Sequence, residues 1–440
     1  MTANVSPSFG NGGVINLQGY STVSATDCTM SSSSTSGFGG VAFTREHSTL
    51  LFANCTMMLS SANAGGVLYM QEYSTCAMSG CTMTFNTAQS SRGQGQGGVV
   101  NVQDYSVLNV AGCTMFSNSA KYGGVVFAQG YQKDAAQEAE SKEVTIMDST
   151  LHSNTGAARA GAIYATGHSN IAMARSTLIA NFATMGGAFY AGGDSAVTAT
   201  DCTMTSNSAS SGGGVITFDR STVVTTDCMI NLNSATWGAS IHTRDQSNVE
   251  TIYCTIESNH AVHAGGFIYV SGHSTAIATN CTMTSNTAHL GGVVFAEGND
   301  ANVAINVVTI HCTMTLNFAR LGGAIFVREN AAVTATHCRM LSNFGHLGGA
   351  VYASESSTMA VAHCTLASNS AHRGGALYAR STVATVLHYC VLSLNSASWG
   401  GAIYSHISVI ATDTTMSMNH ADKQVENAPV MMTRRTRNGL

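Results

Sequence analysis

The feature that most constrains this chain is a repeated stretch, complete at Cys281 to Phe295: Cys-Thr-Met-Thr-Ser-Asn-Thr-Ala-His-Leu-Gly-Gly-Val-Val-Phe. Near copies recur about fifteen times along the sequence. Aligned on the second residue of the Gly-Gly pair, they fall at Gly13, Gly40, Gly66, Gly98, Gly124, Gly161, Gly187, Gly214, Ala239, Gly266, Gly292, Gly323, Gly349, Gly375 and Gly401. Most steps are 25 to 27 residues, and the longer steps into Gly98, Gly161 and Gly323 mark insertions near 89–96, 131–143 and 298–306. A unit this short cannot bury its own apolar face, so a fixed period in this range means stacked copies.

Alternation within one copy says which columns face inward, because neighbouring strand side chains point to opposite faces. The position two after Cys is apolar in every copy, from Met30 and Met57 to Leu392 and Met416. The Cys position therefore faces in as well; its replacements, Ser149, Ser176 and Thr414, are small, as a filled interior requires. Five residues after Cys stands Asn, from Asn86 to Asn419, which reads as a turn residue in a left-handed conformation whose amides stack between copies. Gly-Gly opens a second strand such as Ala402-Ile403-Tyr404; its middle position points inward, and its third, mostly Phe or Tyr but Asn16, Asn101, Thr217 and His242 in four copies, points outward. A Ser-rich turn leads to a third strand, such as Ala196 to Thr200.

The pattern predicts an all-β fold: a single right-handed parallel β-helix of about fifteen coils of about 26 residues, with three short strands per coil. It spans 1–421 as one domain, and 422–440 is expected to be a disordered polar tail. Two prolines in the whole chain suit uninterrupted strands, and a charged fraction of 9% is too low for a disordered chain. With a net charge of −5 and no basic track, nucleic acid is not an expected partner, and no apolar run is long enough to span a bilayer. Met1 to Gly10 shows no signal-peptide pattern, and Pro7 to Gly13 reads like the end of a repeat, as if the chain begins within its array.

With Asn-x-Ala-x-x-Gly-Gly-Ala-Ile-Tyr at Asn395 to Tyr404, the chain resembles the polymorphic outer membrane protein repeats of chlamydial surface proteins. Gly-Gly-Ala-Ile stands at Gly322 to Ile325 and at Gly400 to Ile403; the Phe of that family's Phe-x-x-Asn signature is here usually Met or Leu, as at Met283 to Asn286. The resemblance implies a parallel β-helix and an adhesin on a cell surface or outer membrane. Members of that kind are carried on an autotransporter barrel, and no candidate barrel follows the last coil here.

Several columns carry chemistry-bearing residues. Asp27, Asp148, Asp201, Asp227 and Asp413 precede Cys, and Asp201 and Asp227 on adjacent coils are the pair that a polysaccharide lyase or hydrolase of the pectate-lyase type would need, although no second acidic column, Lys or Arg is read beside them. Thr after Cys, from Thr29 to Thr415, forms an outward array like those of ice-binding β-solenoids. The Cys column of a chain with 13 cysteines reads as buried reduced thiols, and Cys76 lies off that column. His311, His337 and His363 precede Cys on consecutive coils, and His346 and His372 share a corner column, which suggests paired imidazoles for a divalent metal. No residue is assigned to catalysis, cofactor or metal binding. The expected function is a non-enzymatic extracellular or cell-surface scaffold that binds a protein or glycan along one face, with the outward aromatic column (Phe43, Tyr69, Phe127, Tyr164, Tyr190, Tyr269, Phe295, Phe326, Tyr352, Tyr378 and Tyr404) as the candidate surface. The enzyme and the ice-binding protein are the alternatives.

Overall fold

Short alternating segments separated by residues that accept unusual backbone angles can only form short strands joined by tight turns. The computed structural model describes residues 5–6, 10–90, 93–130, 142–298, 305–381, 385–423 and 430–433, and every regular element in it is a strand. The chain is a parallel β-solenoid of about 15 turns. It divides into two compact units, Met1–Met229 and Ile230–Leu440, each built from the same coil.

The coil that begins at Cys312 shows the plan. Thr313–Thr315 belongs to a cysteine sheet, Phe318–Leu321 to a corner sheet, Ile325–Arg328 to an aromatic sheet and Ala331–Thr336 to a broad sheet. Each strand pairs in parallel with its counterpart one coil on: Met314 with Met340, Ala319 with Gly345, Phe326 with Tyr352 and Val333 with Met359. Cys254, Cys281 and Cys312 stack as neighbours, since Thr282 donates its N–H to the Cys254 carbonyl at 3.0 Å and Thr313 to that of Cys281 at 2.9 Å. The coil therefore has four strands where the sequence pattern predicts three. The corner strand was hidden because its one inward residue is only Ala or Gly, as at Ala319, Gly345 and Ala371, so no apolar alternation marks it. The corner sheet has seven strands in the first unit and eight in the second.

Two expectations need correction. The left-handed residue at the first corner is not Asn but the residue before it, as at Leu316 (φ 57°), Ser342 (φ 52°) and Ser368 (φ 56°). That leaves Asn free to turn fully inward: Asn343 is 1% exposed, and its Nδ2 donates to the Met314 carbonyl at 2.9 Å and to Asn369 Oδ1 at 3.1 Å. Its Oδ1 accepts from the N–H and Nδ2 of Asn317, both at 3.0 Å. The second correction is of register. The three consecutive glycines at 212–214 admit two alignments, and the structure selects Gly213, because the Gly187 Cβ position faces its carbonyl and Tyr190 pairs with Ile216. Thr217 pairs with Ala191 and so leaves the aromatic column.

The insertion at 131–141 and residues 299–304 lie outside the described residues. His420–Lys423, which runs two residues into the stretch expected to be a polar tail, pairs with Ser396–Trp399, and within that stretch Val430–Thr433 adds to the broad sheet beside Val409–Thr412.

At 348–349 both glycines are constrained, for different reasons, although Ala160 and Ala239 fill the first and second positions in two other coils. Gly348 has φ +65°, and a Cβ there would lie 2.0 Å from the Val351 carbonyl oxygen of its own turn. Gly349 has ordinary angles, but a Cβ there would lie 2.0 Å from the carbonyl oxygen of Gly375 on the next coil. Gly349→Ala must therefore push two coils apart and is expected to cost about 3 kcal/mol. Gly93, with φ +67° and nothing within 4 Å of its Cβ position, supplies the control: Gly93→Ala meets only backbone strain, about 1 kcal/mol. Urea denaturation midpoints of the two variants measure the difference, and equal shifts would remove the inter-coil contact as the constraint.

Candidate functional site

The aromatic sheet is where the structure departs most from the outward, ligand-facing column that the sequence suggests. Its rings do stack along the coils, with centroids 5.0 Å apart for Tyr352 and Tyr378 at an interplanar angle of 3°, and 5.4 Å apart for Tyr378 and Tyr404. But they are buried: Phe295 is 0% exposed, Phe326 3%, Tyr352 7% and Tyr378 4%. The cover comes from the last residue of each corner strand. Trp237, Leu290, Leu321 and Leu347 pack on the rings in the second unit, and Arg373 lies 5.5 Å above the Tyr404 ring. In the first unit Tyr122 and Met185 do the same, and Phe38 stacks on Tyr69 at 4.6 Å. Sequence reasoning missed this covering column because it missed the corner strand that carries it.

With ring faces occupied by neighbours, what the flank offers a ligand is the hydroxyl ends of the tyrosines and the polar column two residues further along each strand. In the second unit that column holds Ser271, Glu297, Arg328, Ser354, Arg380 and His406. Tyr269 reaches Glu297 at 3.5 Å, Tyr352 is hydrogen-bonded to Ser354, and Tyr378 meets His406 Nε2 at 3.1 Å. Burial pushes the Tyr269 phenol up to about 12 and raises that of Tyr352, so both stay neutral donors. Arg328 donates from Nε to Glu297 at 2.9 Å and also pairs with Glu329 at 3.3 Å. A groove of about 340 Å³ opens here, lined by Leu321, Phe326, Arg328, Tyr352, Ser354, Glu355 and Arg380.

The other sequence-singled columns have structural explanations. The position before Cys is left-handed throughout the described coils, with φ 53° at both Asp201 and Asp227, and it also holds Asn54, Gly80, Gly112 and Asn280. These are residue types that tolerate that conformation, which is reason enough for aspartate there. An arginine does accompany the acids: Arg175 stands in the same column and grips Asp148 with two hydrogen bonds of 2.8 Å, holding its carboxyl below the usual range. The outward Thr array is broken by exposed Met229 and Val391 and by Arg339.

His311, His337 and His363 are exposed and stacked, at centroid distances of 4.7 and 4.9 Å, and Tyr389 extends the stack at 5.0 Å. His346 and His372 stack at 5.1 Å and 9°. The lone pairs of near-parallel rings lie in their planes and run side by side, so they do not converge on one ion. Among the described residues no group of three or more His, Cys, Asp or Glu side chains could hold a metal.

All 13 cysteines are free, and all but Cys28 are buried. Their thiols donate to backbone carbonyls, as Cys312 does to Ala278 and Ile310 at 3.3 Å each. Cys76 occupies an inward position of the broad sheet between Leu50 and Leu108, as one more small apolar filler. Burial pushes the thiols of Cys76 and Cys390 up. A maleimide added to the folded chain is expected to modify Cys28 first and to spare the other thiols until denaturant is added. Rapid modification of Cys281 or Cys338 under native conditions contradicts the packing.

One residue of the aromatic column is anomalous. His242 pairs with Tyr269, is 5% exposed and packs edge-on against that ring at 4.5 Å, yet neither ring nitrogen has a hydrogen-bond partner. Burial, and then the nearby Arg244 charge, lower its pKa to about 3 from an ordinary 6.5. The folded chain therefore refuses a proton that the unfolded chain accepts, and stability falls as pH drops from about 6.5 towards about 3. His242→Phe removes two orphaned nitrogens, so it is expected to raise stability at pH 7 by about 1 kcal/mol and to flatten the thermal midpoint's pH dependence over that interval. An unchanged slope refutes the assignment.

Residues 134–308 match a family model described as a right handed beta helix region, in keeping with the parallel coils. No curated protein and no solved structure matches the chain significantly. Among the described residues no helix is long and apolar enough to cross a membrane.

Proposed function

We propose that this protein is a non-enzymatic β-helix scaffold of the extracellular space or cell surface, and that it binds a protein or glycan along the flank of its aromatic sheet. The observation that carries the reading is the covered column: a stack of buried rings whose tyrosine hydroxyls reach a polar row in which Arg380 and His406 are exposed, Glu297 and Arg328 half-buried and Ser271 and Ser354 buried. A ligand lying along such a flank meets evenly spaced hydrogen-bonding groups, held one coil apart at the roughly 4.8 Å of the sheet. Recognition then works through charge and hydrogen bonds, not through stacking on ring faces. The likeness to surface-protein repeats supports an extracellular setting.

The test is a glycan array together with a cell-adhesion assay on the whole chain, using Tyr352→Phe and Arg380→Ala to strip polar groups while keeping the stack. Adhesion or glycan retention that weakens severalfold in these variants is the expected result. Depolymerisation of a polysaccharide, lost in Asp201→Asn or Asp227→Asn, would instead assign an enzyme and exploit the exposed Asp148–Arg175–Asp201–Asp227 column.

A further inference from the structure

The groove at the second unit's flank is specific enough to name a ligand class. Its lining is apolar at Leu321, Phe326 and Tyr352 and polar at Arg328, Ser354, Glu355 and Arg380. The two arginines are not equivalent. Arg328 is held by Glu297 and Glu329, whereas Arg380 makes no ion pair among the described residues and lines the same groove as Tyr352. Arg380 and Ser354 are register partners on adjacent strands, and Glu355 follows Ser354, so a guanidinium donor, a hydroxyl and a carboxylate acceptor stand side by side.

From these groups we propose that the groove binds one neutral sugar ring through a pair of neighbouring hydroxyls, with Arg380 donating to one and Glu355 accepting from the other. The hydroxyls of Ser354 and Tyr352 complete the polar side, and the C–H face of the ring lies against Leu321. Three features select this ligand. A volume of about 340 Å³ is at the small end for binding pockets and accommodates one or two sugar rings, not a folded segment of protein. Planar donor and acceptor groups in alternation match adjacent hydroxyls. Charge favours a neutral ring: with Arg328 neutralised by Glu297 and Glu329, the lining's other two charges, Arg380 and Glu355, cancel and offer an acidic sugar no net attraction. The inference rests on the glycan arm of the proposed function and gives it a place and a chemistry.

Saturation-transfer NMR on the whole chain tests it, with the methyl glycosides of glucose, galactose and mannose as neutral probes and sialyllactose as the acidic one. At least one neutral glycoside is expected to bind in roughly the millimolar range, as a single shallow subsite allows. Glu355→Gln and Arg380→Ala should each weaken it at least tenfold, while Glu72→Gln in the first unit leaves it unchanged. Shielding of the buried thiols reports that each variant is folded. A preference for sialyllactose, or neutral binding indifferent to both groove substitutions, overturns the inference. Absence of any glycoside signal overturns it too; should the chain then still adhere to cells, the surface-scaffold reading survives without the groove.

Discussion

The interaction on which the rest depends is the buried amide ladder at the first corner. Each asparagine in its interior donates twice and accepts twice, to the coil before and the coil after, and so satisfies polar groups that the tight corner would otherwise strand away from water. Leaving any of these unpaired costs more than a typical hydrogen bond contributes, so the ladder punishes a slipped register as much as it rewards the correct one. Once the amides are aligned, the Cys and Met columns fall into line on one side, and the glycine carbonyls come within reach of the preceding coil on the other.

Much of this was legible in the sequence, and the reason is the two-residue period. The Cys and Met columns had to share a face, and the pairing of Met283 with Met314 and of Met314 with Met340 is what that alternation implies. The parts that were illegible are those where side-chain type does not report backbone state. Leu316, Ser342 and Ser368 carry left-handed angles with no glycine or asparagine to signal them, so the unusual conformation was placed one residue late. A strand whose inward residue is Ala or Gly looks like a turn, and without it the cover over the aromatic rings was invisible. Triple glycine gave no unique alignment until the coils were stacked. Arg175 escaped notice because an arginine at a left-handed position has no pattern of its own, and Cys76, seen to lie off the column, had no place because it belongs to a different sheet from the other thiols.

The covered rings also change what kind of surface the flank can be. An exposed ladder of Tyr and Phe would be adhesive towards almost anything apolar, including other copies of the chain. Closing it with Leu290, Leu321, Leu347 and the stem of Arg373 retains the rigidity of a stacked column and leaves only its polar margin outside. Selectivity then resides in a few groups such as Glu355 and Arg380, which can differ from coil to coil without disturbing the rings beneath.

The unpaired thiols give the fold an asymmetry in time. While the coils are closed, a column of cysteines one strand spacing apart is shut away from oxidants and cannot exchange partners. Once a coil opens, thiols from several turns become available together, and any bridge that forms between them ties the chain into a geometry the parallel stack cannot accept. In oxidising surroundings, then, loss of structure is a one-way event, and the lifetime of the molecule is set by how rarely its coils part and not by how favourably they re-form.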